Sequence, residues 1–428
     1  MANAREVALK VLYACHRQGA WADGALKREL DKAKLDSRDA ALASYLVYGA
    51  LQNQLLLDHY LAAFCTRGLE NLEPRVLDIL RLGAYQLLMM DKIPPMAAVN
   101  ESVELAKRHA KNPKTTGFVN AVLRNIDRSR DNLPALPGDL MERLSIQYSH
   151  PLWLVEEFAA QVGMDELEDL LCADNAPAPI TAQVNTLKTT APDLAQRLEG
   201  EGVTAQEHWL SDCLTLEDTG NLERLPAFQE GLFYIQDPAA KLAVLAAQPK
   251  AGERVLDLCA APGGKTFAAA IAMKNQGRIL SRDIYPRKVE ALAASADRLG
   301  LTCVETAVGD ATAPIEGPFD LVIADVPCSG LGIIRKKPDI RYKDPDEFQG
   351  LLPIQAAILE NAAKAVAPKG RLLYATCTLR REENEQQVER FLSEHKDFSL
   401  TKQETLWPHR RGTDGFFYAL LERRCAHG

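Results

Sequence analysis

No apolar run in the 428-residue chain reaches the ~18 residues that a membrane-crossing helix needs. The opening residues, Met1-Ala2-Asn3-Ala4-Arg5-Glu6, lack the pattern of a secretory signal. No Cys-x-x-Cys pair occurs either. The nine cysteines (Cys15, Cys65, Cys172, Cys213, Cys259, Cys303, Cys328, Cys377 and Cys425) stand singly. An odd, scattered set argues against a disulfide framework and against a zinc site, and fits a reducing cytoplasm, so no membrane and no metal are expected. Most of these thiols read as small core residues. Overall basic charge is absent too: the net charge is −8, which alone argues against nucleic acid. What remains is an ordinary composition, 47% hydrophobic and 25% charged, in a chain long enough for two or three domains.

The distribution of charge says more than its sum. Residues 1–130 carry 19 Lys+Arg against 14 Asp+Glu, residues 131–250 carry 6 against 20, and the remainder 25 against 24. Within the first region, residues 107–130 carry Lys107, Arg108, Lys111, Lys114, Arg124, Arg128 and Arg130 against Asp127 alone. A local basic face on an acidic protein is compatible with RNA binding, and equally with a solvated helix surface.

Residues 1–130 read as all helix. Apolar residues recur at helical spacing in Val7, Leu9, Val11, Leu12 and in Leu42, Leu46, Val47, Leu51. Asp36-Ser37-Arg38-Asp39 marks a helix start, and helices are predicted over 75–90, 97–109 and 117–127. His16, His59 and His109 show no partner pattern. Residues 131–138 read as a linker. A helical stretch over 144–171, broken at Tyr148-Ser149-His150-Pro151, precedes a small, strongly acidic α+β unit. That unit has a strand from Ile180, a helix over 193–201, and a last strand near Phe233-Tyr234-Ile235. Asp237 then caps a further helix.

From Arg254 the rhythm becomes strand–helix alternation, the sign of a parallel sheet. Strands are predicted over 254–258, 278–283, 302–308, 319–324 and 371–375, helices over 265–274, 287–299 and 351–366, and a terminal strand over 415–421. The first strand runs into Cys259-Ala260-Ala261-Pro262-Gly263-Gly264-Lys265-Thr266. Small residues and paired glycines let the backbone approach a ligand at a helix N-terminus. A P-loop would need glycine where Cys259 stands, and the G-x-G-x-x-G of a dinucleotide fold is absent. Asp283, Asp310 and Asp325 end the next three strands. A carboxylate at Asp283 can hold both ribose hydroxyls, and one at Asp310 can accept from an adenine amino group, so an adenosine-bearing cofactor fits.

Two cysteines also stand at strand ends: Cys328 in Asp325-Val326-Pro327-Cys328-Ser329-Gly330, and Cys377 in Thr376-Cys377-Thr378. Ligands bind outside the carboxyl ends of such strands, so both thiols and the Asp325 carboxylate can meet in one cleft. The basic run Arg335-Lys336-Lys337 with Arg341-Tyr342 can hold phosphates beside it, and Asp339 reads as a local salt-bridge partner.

The first third resembles the helical RNA-binding domain typified by the transcription antiterminator NusB. The matching stretches are Ala84-Tyr85-Gln86-Leu87, the run from Val99 to Ala106, and Phe118-Val119-Asn120-Ala121-Val122-Leu123-Arg124. From about Asn185 to the C-terminus the chain resembles the Nol1/Nop2/Sun family of RNA cytosine-5 methyltransferases. The motifs are Cys259–Lys265, Asp325–Gly332 and Ala375-Thr376-Cys377-Thr378-Leu379. Val326 stands where that family usually has Ala, Thr378 where it often has Ser, and Gln183 where an Arg usually precedes the Asn-Thr-Leu triplet.

The resemblance implies a multidomain chain: an all-α NusB-like domain over 1–135, a small α+β domain over 140–238, and an α/β Rossmann-like methyltransferase domain over 239–428. It implies S-adenosylmethionine bound by Cys259, Ala260, Ala261, Pro262, Gly263, Gly264, Lys265, Asp283, Asp310 and Asp325. It implies 16S ribosomal RNA as partner, free or in an assembling small subunit, and a monomeric cytoplasmic protein is expected.

Carbon 5 of cytosine is too weak a nucleophile to take a methyl group directly. Addition of a thiolate to carbon 6 makes carbon 5 an enamine carbon, which splits one hard step into easier ones. The family pattern makes Cys377 the nucleophile and Cys328 the residue that assists product release, with Asp325 hydrogen-bonded to the base and Lys265 stabilising the addition or the thiolate. Residues alone leave the reverse assignment open, because Pro327-Cys328 fits the Pro-Cys nucleophile of DNA cytosine-5 methyltransferases. A non-enzymatic RNA scaffold would have lost motif residues, and a nucleotide hydrolase would need a first glycine where Cys259 stands and a second magnesium-binding motif.

Overall fold

The computed structural model describes residues 3–66 and 68–425, so Met1 and Ala2 of the opening stretch lie outside the described residues. The chain forms two compact units, Met1–Ala176 with Ile334–Lys343, and Pro177–Ile333 with Asp344–Gly428.

The first unit is helical throughout. Helices Ala4–Gln18, Ser37–Gln52, Pro74–Met89, Pro95–His109 and Thr115–Arg128 share one core. Pro74–Met89 is its axis: Ile79, Leu80, Leu82, Ala84 and Leu87 are all buried, so apolar residues cover most of its circumference, the pattern of a central helix. Asp36 caps the helix that starts at Ser37, its carboxylate accepting from the Asp39 amide at 2.8 Å. Helices Leu140–Gln147, Leu152–Val162 and Met164–Asn175 complete the unit.

Charge here is more paired than its sequence spacing suggests. Lys107 meets Glu104 at 2.5 Å, Arg108 meets Glu6 at 3.3 Å, and Arg130 meets Asp127 at 2.9 Å. His16 also has partners, its ring nitrogens lying 2.8 Å from Asp78 and 2.8 Å from Gln54.

Segment Ile334–Lys343 corrects one expectation and extends another. Arg341 is completely buried and donates to the Tyr148 and Ser149 carbonyls, both at 3.1 Å, and to Asn175 at 3.0 Å. Burial pulls its basicity down, and the group serves as an internal staple rather than a phosphate reader. Asp339, expected as a local salt-bridge partner, has the charge of Lys343 near it and a backbone partner far off in sequence. It accepts from the amide of Ala22 at 2.9 Å, satisfying the free N–H at the start of helix Ala22–Ala33, which has no side-chain cap of its own.

In the second unit, strands β1 (Ile180–Val184), β2 (Thr204–Glu207), β3 (Cys213–Glu217) and β4 (Phe233–Ile235) form an antiparallel sheet in the order β2-β3-β1-β4. Gln183 and Asn185 are buried fasteners here. Gln183 donates to the Gln236 carbonyl at 2.8 Å, and Asn185 to the carbonyls of Gly231 at 3.0 Å and Leu299 at 2.9 Å.

A larger sheet follows: β5 (Arg254–Asp257), β6 (Arg278–Asp283), β7 (Val304–Val308), β8 (Phe319–Asp325), β9 (Val366–Thr376), β10 (Phe398–Leu406) and β11 (Phe416–Arg423). Its order is β10-β11-β9-β8-β5-β6-β7. Strands β5 to β9 are parallel, as the alternation predicts, whereas β11 runs antiparallel to both β9 and β10, so the sheet is mixed. Leu321 and Ile323 of β8 enter the core on one face and Val322 and Ala324 the core on the other, because successive strand side chains alternate. The order reverses at β5, where neighbours β6 and β8 lead in opposite directions. A cleft outside the strand ends is expected at that point.

Candidate active site

Beyond β5 the chain makes the turn Leu258–Gly263 and enters helix Gly264–Ala272. The Ala260 amide bonds to the Arg282 carbonyl at 2.8 Å, and the Gly263 amide to the Ala260 carbonyl at 2.7 Å. Gly263 has φ +112°, and a β-carbon there would fall 2.3 Å from the Phe267 ring, so only glycine fits. Underneath lies Asp257, wholly buried. It accepts from the Thr266 hydroxyl at 2.7 Å, which in turn meets Ser281 at 2.8 Å. Burial pushes its carboxyl up to about 7, against the Thr266 hydrogen bond and with help from the Asp325 charge.

A cavity of about 460 Å³ opens at the carboxyl ends of β5 to β8. Of the sequence-predicted residues, Cys259, Ala261, Asp283, Asp310, Asp325, Cys328 and Cys377 all line it, whereas Ala260, Pro262 and Gly263 belong to the turn and Gly264 and Lys265 to the first turn of the helix. Asp283 accepts from the Ala261 amide at 3.3 Å and the Tyr285 amide at 3.0 Å, which fixes its carboxylate at the rim of β6. Asp310 accepts from the Thr312 amide and hydroxyl, both at 2.8 Å, and these bonds hold it below the usual carboxylate range. Burial and the carboxylates around it push the Cys259 thiol up strongly. Ile284 and Tyr285, both more than half exposed, add an apolar rim that sequence reasoning missed.

The two cysteine turns meet. Cys328 Sγ lies 3.3 Å from Cys377 Sγ, across 49 residues of sequence. The hydrogen bond with Cys377, then burial, then the charges of Cys377, Glu383 and Asp325 push the Cys328 thiol well up. Lys265 turns away from the turn and reaches Asp325 at 2.6 Å, with its ammonium 5.0 Å above the Phe416 ring. Burial alone would lower its basicity, but the Asp325 carboxylate outweighs that and keeps the ammonium charged. Gly332 closes the mouth from behind. Its amide bonds to the Cys377 carbonyl at 2.9 Å, and a β-carbon there would fall 1.9 Å from the Gly415 carbonyl oxygen. One cleft thus holds a pair of thiols in contact, beside a carboxylate–ammonium pair and a rim of acids at adjacent strand ends.

Residues 244–422 match the family described as 16S rRNA methyltransferase RsmB/F, residues 2–128 the NusB family, and residues 150–223 the ferredoxin-like domain of RsmF/B-like methyltransferases. The chain is 35% identical to a probable ribosomal RNA small subunit methyltransferase B of Bacillus subtilis (strain 168), over 99% of both chains. It is 32% identical to the ribosomal RNA small subunit methyltransferase B of Vibrio cholerae, over 99% of this chain and 98% of that one. Among solved structures, PH0851 superimposes with a TM-score of 0.80 at 28% identity, over 97% of this chain and 98% of that one. A methyltransferase homologue from Pyrococcus horikoshii, 25% identical, gives 0.59 over 67% of this chain and 100% of its own. The architecture is accordingly a NusB-type helical domain, a small ferredoxin-like domain and a Rossmann-like methyltransferase domain. With this similarity running from end to end, the chain belongs to the ribosomal RNA small subunit methyltransferase B family.

Proposed function

We propose that the chain methylates carbon 5 of a cytosine in 16S ribosomal RNA, using S-adenosylmethionine and a covalent cysteine–cytosine adduct. The observation that carries this reading is the 3.3 Å approach of Cys328 and Cys377 in a cleft that Asp325 also lines. Addition at carbon 6 needs one thiol as nucleophile, and a second thiol in contact with that sulfur is placed to serve the release step.

The residues fit the cofactor. Asp283, held by two backbone amides, presents a carboxylate to ribose hydroxyls, Asp310 stands one strand further for an adenine amino group, and the exposed Ile284 and Tyr285 side chains give an apolar edge for a purine. When bound, S-adenosylmethionine supplies an electrophilic methyl group on a sulfonium.

Cys377 is the nucleophile. The Cys328 thiol lies 3.3 Å from the Cys377 sulfur, within hydrogen-bond reach of it. The Cys377 sulfur forms a bond to carbon 6, and the ring's electron pair moves onto the N3 side. Asp325 accepts from the cytosine amino group, and the Lys265 ammonium beside it offsets the negative charge that grows on the ring. After carbon 5 has gained its substituent it loses its proton to a base, and the carbon 6–sulfur bond breaks to return the Cys377 thiolate. Cys328, in contact with the leaving sulfur, assists this release.

Covalent trapping on 5-fluorocytosine-containing RNA tests the assignment. On this analogue Cys377→Ala abolishes the adduct and Cys328→Ala still forms it; on ordinary cytosine RNA Cys328→Ala accumulates an adduct that is released slowly. Trapping that persists without Cys377 reverses the two roles. Bisulfite sequencing of ribosomal RNA from a strain lacking the gene identifies the modified cytosine. Unchanged 5-methylcytosine at every 16S position would refute the reading.

A further inference from the structure

Glu383 lies six residues beyond Cys377, in the turn that leads to helix Glu385–Glu394. It is completely buried, yet it is a carboxylate, and burying one is costly unless donors meet it. The donors come from two different segments. Its oxygens accept from the Ser329 amide at 2.9 Å, from the Ser329 hydroxyl, and from the Gln355 side-chain amide at 2.8 Å. Ser329 is the residue after Cys328. Its hydroxyl also lies 2.7 Å from the Thr378 hydroxyl, on the residue after Cys377. Gln355 in turn bonds the carbonyl of Pro327, the residue before Cys328, at 3.0 Å.

The other cysteine turn is gripped by the next residue. Asn384 accepts from the Thr376 hydroxyl at 2.6 Å and donates to the Thr378 carbonyl at 2.9 Å, one bond on each side of Cys377. Tyr374, in β9, donates to the Glu383 carbonyl at 2.6 Å and fixes the dipeptide to the sheet. Glu383-Asn384 is therefore a clamp whose two halves hold the residues flanking Cys328 and those flanking Cys377.

We propose that Glu383 is a positioning residue that sets the separation of the two sulfurs, and with it the transfer of the cytosine adduct through addition and release. The function of the pair rests on the reading above, but the geometry of the pair does not. A satisfied buried network is costly to disturb, and each donor removed frees one wall of the sulfur pair. A 1 Å displacement of a reacting group can cost about 100-fold in rate, so a loosened clamp acts on the chemical steps rather than on binding.

The test uses the full-length chain with Glu383→Gln, in which one donor meets an amide instead of an oxygen, and Ser329→Ala, which keeps the Ser329 amide and loses its hydroxyl. Two quantities are measured: steady-state methylation of 16S RNA, and the effective concentration of the Cys328–Cys377 pair, from disulfide equilibration with glutathione followed by peptide mass mapping. In Glu383→Gln both kcat and the effective concentration fall by about tenfold or more, while KM for RNA and the Kd for S-adenosylhomocysteine stay within about twofold. Ser329→Ala moves both in the same direction by less. The proposal is overturned if folded variants keep their effective concentration within about twofold, whatever happens to kcat, or if the loss appears in KM instead. If the chain proves not to methylate cytosine, the glutathione equilibrium still reads the clamp, so the two failures are separable.

Discussion

Asp257→Asn reports directly on the floor beneath the cofactor turn. The wild-type carboxyl is completely buried and stands at about 7. In an unfolded chain the same group has a pKa of ~3.9, so three decades of proton affinity separate the states, worth ~4 kcal/mol when fully expressed. The sign follows from the raised value. The folded chain holds this proton more tightly, so its contribution is complete below ~pH 4 and is lost as pH rises to about 7. Between pH 5 and 8 the wild-type protein should lose ~3 kcal/mol relative to the variant. The asparagine can still accept from Thr266 but places an amide where the second, unbonded Asp257 oxygen sits. That costs ~1–3 kcal/mol at every pH, an offset and not a slope. Urea unfolding of both proteins across this range, read by hydrogen exchange at the amides of β5, measures the difference. Parallel curves would refute the neutral, buried carboxyl.

Asp325→Asn removes the carboxylate 2.6 Å from Lys265 and should lower single-turnover methylation by ~10- to 100-fold, the worth of one charge-assisted hydrogen bond. Asp283→Ala should act on the cofactor instead, weakening S-adenosylhomocysteine in calorimetry by ~10-fold or more while the Cys328–Cys377 pair, read by glutathione equilibration, keeps its effective concentration. Arg341→Met should destabilise the first unit by ~2–4 kcal/mol in urea, because the Tyr148 and Ser149 carbonyls lose their donor. In the same variant, binding of S-adenosylhomocysteine to the second unit should hold.

The elements that carry the cleft were legible because each has a local signature. Short apolar runs ending in Asp283, Asp325 and Cys377 mark buried strands, and Cys259–Thr266 announces a turn into a helix. What escaped notice has no such signature. β10 reads Phe-Ser-Leu-Thr-Lys-Gln-Glu-Thr-Leu and is largely exposed along its middle, so alternation is weak and its pairing with β11 comes from the partner strand. Glu383 meets Ser329 across 54 residues, a contact that no sequence window contains. Arg341 looked like phosphate affinity because charge is visible in a sequence and burial is not. The thiols of Cys328 and Cys377 could be placed at strand ends from sequence, but their mutual approach needed the register of β8 on β9.

The placement of Ile334–Lys343 in the first unit bears on how the polypeptide is made and dissected. A nascent chain that has emerged only as far as Ala176 lacks the guanidinium of Arg341 for its Tyr148 and Ser149 carbonyls and the Asp339 carboxylate for the Ala22 amide. The helical unit therefore completes its hydrogen bonding only after much of the β-rich portion has been translated. An excised N-terminal fragment would start life with those groups unmet, and supplying the ten-residue segment in trans, as a peptide, would be the natural way to restore it.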